Sequence, residues 1–390
     1  MPFTAALSTA PDTARAVEEV CTQAVGQFAG SPDLALVFFS PHHAENAGEI
    51  AGGLVKRLAP RHLLGCMGEA IVGNDREIER QPAISLWIGR WTEPVELEPF
   101  HLTVEPTAEG YSILGWPDGL MNADLARSAM LLLGDPFTFP ADAFLQEVNS
   151  DHAGLRVMGG MASGADAPGQ GRLLLGERVL EQGAVGVLLQ GPLRLWSVVS
   201  QGCRPIGRHM VVTRAEENLI LELGGKPPLL QLQQLWQELS SRDQELFQQG
   251  LHIGLAVSEY RERFGRGDFL VRNVLGLEQQ TGALAIAGRA RVGQTVQFHV
   301  RDSQSADDDL HLMLQVAATA HDAKPASALL FTCNGRGTRL FSQPHHDAQV
   351  VRAEMADIPI AGFFAQGELG PVGTQNFIHG FTASIVLFAD

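Results

Sequence analysis

The chain has no cluster of basic residues. Its 28 Lys and Arg are outnumbered by 44 Asp and Glu, for a formal charge of −16. A nucleic-acid partner needs a concentrated positive surface to displace counterions from phosphates, and an anionic membrane repels a chain of this sign, so neither is expected as a partner. Paired cysteines are missing too. Cys21, Cys66, Cys203 and Cys333 lie far apart with no C-x-x-C, which argues against a zinc ribbon or a redox dithiol and fits a reducing, cytoplasmic compartment. No apolar run reaches the ~18 residues of a membrane span. The opening MPFTAALSTAPDTARAVEEV lacks the basic region and continuous apolar core of a signal peptide. There is no Walker A sequence, no G-x-S-x-G, no H-E-x-x-H and no dinucleotide fingerprint in a βαβ setting. No cofactor is therefore expected, and enzymatic chemistry finds little positive support.

What is present is a folded-protein composition, 45% apolar and 18% charged over 390 residues, enough for about two domains with a sizeable core. Apolar runs alternate with amphipathic stretches. LALVFFS (34–40) reads as a buried strand, and HHAENAGEIAGGLVKRLAP as a helix stopped by Pro60. HLLGCMGEAIVG (62–73) reads as a strand breaking on Gly65 and Gly68. The sentence repeats as SAMLLLGD, ADAFLQEVNSDHAG and LRVMGGMASGAD, and again as ALLFTCNGRG, HHDAQVVRAEM and IPIAGFFAQGELGPVG. The expected fold class is α/β (α+β), with mixed β-sheets covered by helices and internal duplication of a strand–helix–strand–glycine-turn unit. A Pro-Pro break opens KPPLLQLQQLWQELSSRDQELFQQG (226–250) and marks a domain boundary. Beyond it, LHIGLAV, FLVRNVLGLEQQTGALAIAG and TVQFHVRD read as an antiparallel meander, followed by a helix with an acidic first turn.

The stretches GKPPLLQL, VGQTVQFHVRD, LLFTCNGRGTRLF, IAGFFAQGELGP and FIHGFTASIVLF, in that order, resemble the C-terminal domain of the FIST family. Residues before about 225 resemble its N-terminal domain. The resemblance divides the chain into a lead-in helix (1–30), a FIST N-terminal domain (31–225) and a FIST C-terminal domain (226–390). It implies a sensory, signal-transduction module that binds small ligands such as amino acids, with a signalling protein as a partner. Eukaryotic relatives of that family join it to an F-box, which implies a protein-recognition use. No kinase, cyclase, chemotaxis or F-box output domain is expected within these 390 residues.

Two turns carry the candidate chemistry. In Cys333-Asn334-Gly335-Arg336-Gly337, the glycines let backbone N–H groups converge on one point as an anion-holding nest, and Arg336 offers a planar fork for a carboxylate. The alternative is a tight turn in which Arg336 pairs with a buried acid such as Glu368. In GFFAQGELGP, Gly367 bends the chain, Phe363 or Phe364 walls an apolar pocket, and Glu368 holds a ligand ammonium. Adjacent strand residues face opposite ways, so only one phenylalanine can face a given pocket. His379 and Thr382 lie on the last strand within reach of the same turns. Gly65, Gly68 and Glu69, with Gly160, Ser163 and Gly164, are the equivalent turns of the other copies and form a secondary wall if the strand ends converge. Together these describe a site for an amino acid or similar small carboxylate. A protein-interaction platform without a small ligand is the alternative. A cysteine-dependent enzyme is a third reading, because Cys333 and Arg339 fit C-x5-R, although LFSQP after Arg339 does not open a helix at once. His42-His43 and His345-His346 open helices; neighbouring helical residues diverge by about 100°, so no metal is expected. Arg301-Asp302 precedes a helix, where Asp302 or Ser303 is expected as the cap.

Overall fold

The apolar runs that recur in the sequence are the inner strands of three mixed sheets. Leu34–Phe39 lies parallel to His62–Met67, Ser128–Gly134 to Arg156–Met161, and Ser327–Cys333 to Ile360–Ala365. The first strand of each pair is flanked by an antiparallel one, Ile84–Gly89, Ala184–Gln190 and Thr382–Phe388 respectively. The computed structural model describes residues 2–28, 30–108, 110–260, 263–265 and 267–389.

The hairpin that follows each parallel pair leaves its own sheet. Ala70–Gly73 and Arg76–Glu79 pair onto Ile360–Ala365. Leu173–Leu175 and Arg178–Leu180 pair onto His62–Met67. Glu368–Val372 and Gln375–His379 extend from Arg156–Met161. The three sheets thus exchange hairpins in a ring, which ties residues more than 250 positions apart into one layer. Helices Thr13–Val25 and Ala47–Leu58 cover the outer face of the first sheet, Ala141–Asp151 that of the second, and His346–Glu354 that of the third. The inner faces share one core in which the rings of Phe38, Phe331 and Phe363 lie 5.2 to 6.1 Å apart. Burial on both faces explains why LALVFF is continuously apolar rather than alternating. It also explains Gly65, which sits inside its strand rather than ending it: a Cβ there would lie 2.3 Å from the Val37 carbonyl oxygen.

One compact unit comprises Met1–Val199, Leu310–Ile378 and Thr382–Asp390, and a second comprises Ser200–Asp309 with His379–Phe381. The second unit is a closed barrel in the order Cys203–Glu216, Leu219–Leu223, Leu284–Ile286, Phe269–Leu277, Leu251–Ala256 and Thr295–Arg301. The meander expected after residue 250 is closed by two strands from before the Pro-Pro break, so the compact units do not divide near residue 226. The reason is pairing: Cys203–Ile206 runs antiparallel to Phe298–Arg301. Asp302 accepts from Arg204 Nε at 2.6 Å and from Arg242, and the Ser305 hydroxyl donates to it. The residues before 31 also differ from a simple lead-in helix, because Phe3–Ser8 forms a strand against Ile84–Gly89.

Candidate functional site

Strand Ser327–Cys333 ends where the chain must turn back over its own sheet. Asn334 N–H still donates to the Ala365 carbonyl, Arg336 N–H folds back onto the Cys333 carbonyl at 2.8 Å, and Gly337 takes a left-handed φ of +57°. The turn drives Arg336 inward until the whole residue is buried. A guanidinium there needs a counter-charge, because an uncompensated buried ion costs several kcal/mol.

Asp347, at the start of helix His346–Glu354, supplies that charge. Arg336 Nε donates to Oδ2 at 2.6 Å and Nη2 to Oδ1 at 2.7 Å, a bidentate fork. Thr332 Oγ1 donates to Oδ2 at 2.5 Å, and the His346 ring lies 2.9 Å from Oδ1 and stacks on Phe341. Phe341 in turn lies 5.2 Å from the guanidinium carbon. Burial alone would raise the Asp347 carboxyl; the Arg336 charge and its hydrogen bonds overturn that and hold it well below the usual range.

Donors beside the turn meet the protein's own acids as well. Thr338 donates through N (2.9 Å) and Oγ1 (2.6 Å) to Glu79, while Gly335 N–H points to Cys333 Sγ at 3.4 Å. Arg339 Nη1 donates to the Asn334 carbonyl at 2.8 Å, and its guanidinium pairs with Glu69. Arg336 therefore does not present a free fork to a ligand, and its direct partner is Asp347 rather than Glu368.

Glu368 opens the hairpin strand that follows Ile360–Ala365 and is fully buried. Thr382 donates to its Oε2 through N (3.1 Å) and Oγ1 (2.7 Å). Burial pushes this carboxyl up to about 8, against the pull of Thr382, the nearby Cys333 thiol and Arg336. Glu77, on the hairpin strand Arg76–Glu79, accepts from Ala348 N at 2.9 Å, and burial together with the Asp347 charge raises it to about 8 as well. The partly exposed residues of the turn are Cys333, Asn334 and Gly335.

The other candidates fall as follows. Phe363 belongs to the central core and Phe364 to the core under the third sheet, so each packs against protein rather than against open space. Gly68 and Gly160 serve close approach: added Cβ atoms would meet Phe363 at 2.7 Å and Ala365 at 3.0 Å. The strand ends of the three copies do meet. Ser163 Oγ accepts from Glu69 N at 2.7 Å and donates to the Phe364 carbonyl, while Ser163 N donates to Met67 and Gln366 N to Met161. Gly164, with φ +81°, lies against the Glu69 backbone, and Gly367 against Met161 and Ile378. His379 groups with the barrel residues in the second compact unit. The four histidines have separate partners: His43 meets Thr13, His42 meets Ser40, His345 meets the Glu77 backbone and His346 meets Asp347. Sequence reading missed Asp347, Glu77 and Glu79. Asp347 is legible as an acid in a helix first turn, but REIE gives no sign of its destination, because its hairpin is handed to another sheet.

A family model described as the FIST N domain matches residues 33–226, and one described as the FIST C domain matches residues 231–371. The chain is 42% identical over 385 residues to an uncharacterized protein of Mycobacterium tuberculosis strain H37Rv, covering 98% of each. An uncharacterized protein of Mycobacterium bovis is 42% identical over 383 residues, covering 98% of this chain and 97% of its own.

Proposed function

The chain belongs to the FIST family, whose domains are generally described as sensory signal-transduction domains, and from that we propose that it senses a small ligand of the amino-acid class at the Cys333–Gly337 turn. The observation that supports this reading is a set of buried polar atoms left over once the turn's internal bonds are counted. Arg336 Nη1 and Glu368 Oε1 are both buried; among the described residues no acceptor reaches Nη1, and beside Thr382, which donates to Oε2, only the weak Cys333 thiol donor acts on Glu368. Groups of this kind are costly to bury unmet, so a guest carrying an acceptor and a donor recovers what the fold leaves unsatisfied. Arg336 Nη1 takes the carboxylate and Glu368 the amine. The side chain of the guest extends toward Cys333 and Asn334.

Thermal unfolding against the twenty amino acids and common organic acids tests this, with Glu368→Gln as the paired variant. That variant keeps an oxygen for Thr382 and disturbs no ion pair. At about 100 times its dissociation constant a bound ligand adds about 2.7 kcal/mol, a rise of several degrees. The expected result is a rise for one ligand class that shrinks in Glu368→Gln. A flat screen on protein freed of carried-over ligand would move the assignment to a protein-interaction platform.

A further inference from the structure

Most edges of the three open sheets are short or answered along their outer side. Gln23 bonds both backbone groups of Leu7 on Phe3–Ser8, at 3.3 and 3.2 Å, and Asn149 does the same for Asn376 on Gln375–His379, at 2.8 and 2.9 Å. His345 Nδ1 lies 2.9 to 3.0 Å from the Glu77 backbone on Arg76–Glu79. Arg156 Nη1 donates to the Leu195 carbonyl on Leu195–Gln201 at 2.7 Å, and Arg178–Leu180 is three residues long. The remaining edge is Gly110–Leu114, whose only ladder is with Glu96–Thr107. Its five residues, GYSIL, carry no charge and no proline. Gly110, Tyr111, Ser112 and Leu114 are exposed, Tyr111 at 45% and Leu114 at 42%. Natural sheets blunt open edges with charge, proline or a cover, because outward N–H and C=O groups recruit another strand.

Pro106 fixes which backbone groups point outward. It stands opposite Tyr111, and without an N–H it cannot exchange both bonds of a hydrogen-bonded pair. Tyr111 therefore directs its own N–H and C=O away from Glu96–Thr107, and by alternation so does Ile113. Among the described residues, the side chain that reaches this strand's backbone is Trp116, whose Nε1 donates to the Ile113 carbonyl at 3.1 Å; that oxygen keeps a second lone pair. We propose that this edge pairs antiparallel with the same strand of a second copy of the chain, about a twofold axis through Ser112. A twofold perpendicular to the sheet keeps every residue on its own face, so the axis passes through a residue. Centring on Tyr111 or Ile113 would carry the other past the end of the strand. Centring on Ser112 sets Tyr111 opposite Ile113 of the second copy. Both have outward backbone groups, so they exchange both hydrogen bonds and form an aromatic–β-branched pair on one face. Ile113 already packs in the core under that face, and the half-exposed Tyr111 ring gains apolar cover. Ser112 meets Ser112 of the second copy in a closely spaced, non-hydrogen-bonded pair. The strand brings no acid to the contact, although the chain carries −16.

Sedimentation equilibrium of the intact chain over a range of concentrations tests this, with Ser112→Lys and Ser112→Glu as the paired variants. The wild type is expected to show a reversible monomer–dimer equilibrium. Each variant sets like charges face to face at the axis and is expected to weaken the dimer up to about fivefold. An equimolar mixture of the two pairs opposite charges and is expected to restore it. Tyr111→Ala, which takes the ring out of the pair, is expected to weaken the dimer in the same direction. Ser31→Lys, at an exposed serine outside the strand, is expected to leave the equilibrium unchanged. A wild type that stays monomeric to its solubility limit overturns the proposal. So does a dimer that both Ser112 variants leave intact, or that their mixture fails to restore, since the copies would then meet elsewhere. An equal loss in Ser31→Lys also overturns it, because net charge would be the cause.

Discussion

Replacing Asp347 by asparagine tests the anchoring of the turn. Asp347 is fully buried and accepts from Arg336 Nε, Arg336 Nη2 and Thr332 Oγ1 at 2.5 to 2.7 Å. Asparagine keeps the shape and one oxygen but removes the charge, so a fully enclosed guanidinium loses its counter-ion. Removing one partner of a buried pair costs about 3–5 kcal/mol, since the remaining ion pays its desolvation alone. At about 2–3 °C per kcal/mol for a unit of this size, the melting temperature falls by roughly 6–15 °C. Arg336→Met removes the other partner and is expected to cost a similar amount. The decisive variant combines Arg336→Met with Asp347→Leu. An apolar pair of similar volume replaces the ion pair at little net cost, so the double variant should be markedly more stable than either single one. Urea denaturation at pH 7 measures all three. Single-variant losses under about 1 kcal/mol would show that water reaches the pair and would refute the argument. So would a double variant whose loss equals the sum of the single losses.

Stability also depends on pH, with a sign fixed by which state holds more protons. Glu77 and Glu368 keep their protons to about 8 when folded but lose them near 4.5 when unfolded, so their contribution is full below the unfolded value and is lost as pH rises toward 8. His252 and His299, held down to about 4 chiefly by burial, contribute in the opposite sense: stability present above 6.5 is lost as pH falls toward 4. The two trends oppose each other between about 5 and 6.5, and only the carboxyl trend remains from about 6.5 to 8, at up to about 1.4 kcal/mol per unit for each group. Denaturation curves across that range should fall for the wild type and flatten in Glu77→Gln with Glu368→Gln. Ser163→Ala removes the hydroxyl that joins Glu69 N to the Phe364 carbonyl; leaving both unmet should cost about 1–3 kcal/mol, read from the urea midpoint. Gly68→Ala puts a methyl 2.7 Å from Phe363 Cβ and should cost a similar amount, and an unchanged midpoint would mean the strand ends are looser than described. Cys21, Cys66 and Cys203 are buried while Cys333 is half-buried, so a maleimide should modify Cys333 first, and a bound ligand should slow that reaction. Peptide mapping after brief labelling reads it directly.

The legible part of this fold was what repeats locally. The continuous run LALVFF announced a buried strand, and the segments after residue 250 announced antiparallel pairing such as that of Phe269–Leu277 with Leu284–Ile286. Exchange of hairpins between sheets was not legible, because strand pairing between segments so distant in sequence, such as Gly73 with Ala361, leaves no mark on either segment alone. The barrel hid for the same reason, drawing Cys203–Glu216 from ahead of the Pro-Pro break. At the turn, the sequence showed an arginine between glycines and so a donor awaiting an anion. It could not show that Asp347, Glu79 and Glu69 come from a helix and from two hairpin or strand ends to answer those donors first. Burial of Glu368 was equally invisible, since ELG reads as an exposed turn until Thr382 and the Cys333 thiol close around it.

The central claim concerns a guest between Arg336 and Glu368, and a high-resolution crystal structure of the chain saturated with the best stabilising amino acid tests it most directly. The account predicts density at the Cys333–Gly337 turn with the ligand nitrogen within hydrogen-bonding distance of Glu368 Oε1 and its carboxylate on Arg336 Nη1. Density for the ligand elsewhere on the chain, with both atoms still unmet or met only by water, would contradict it.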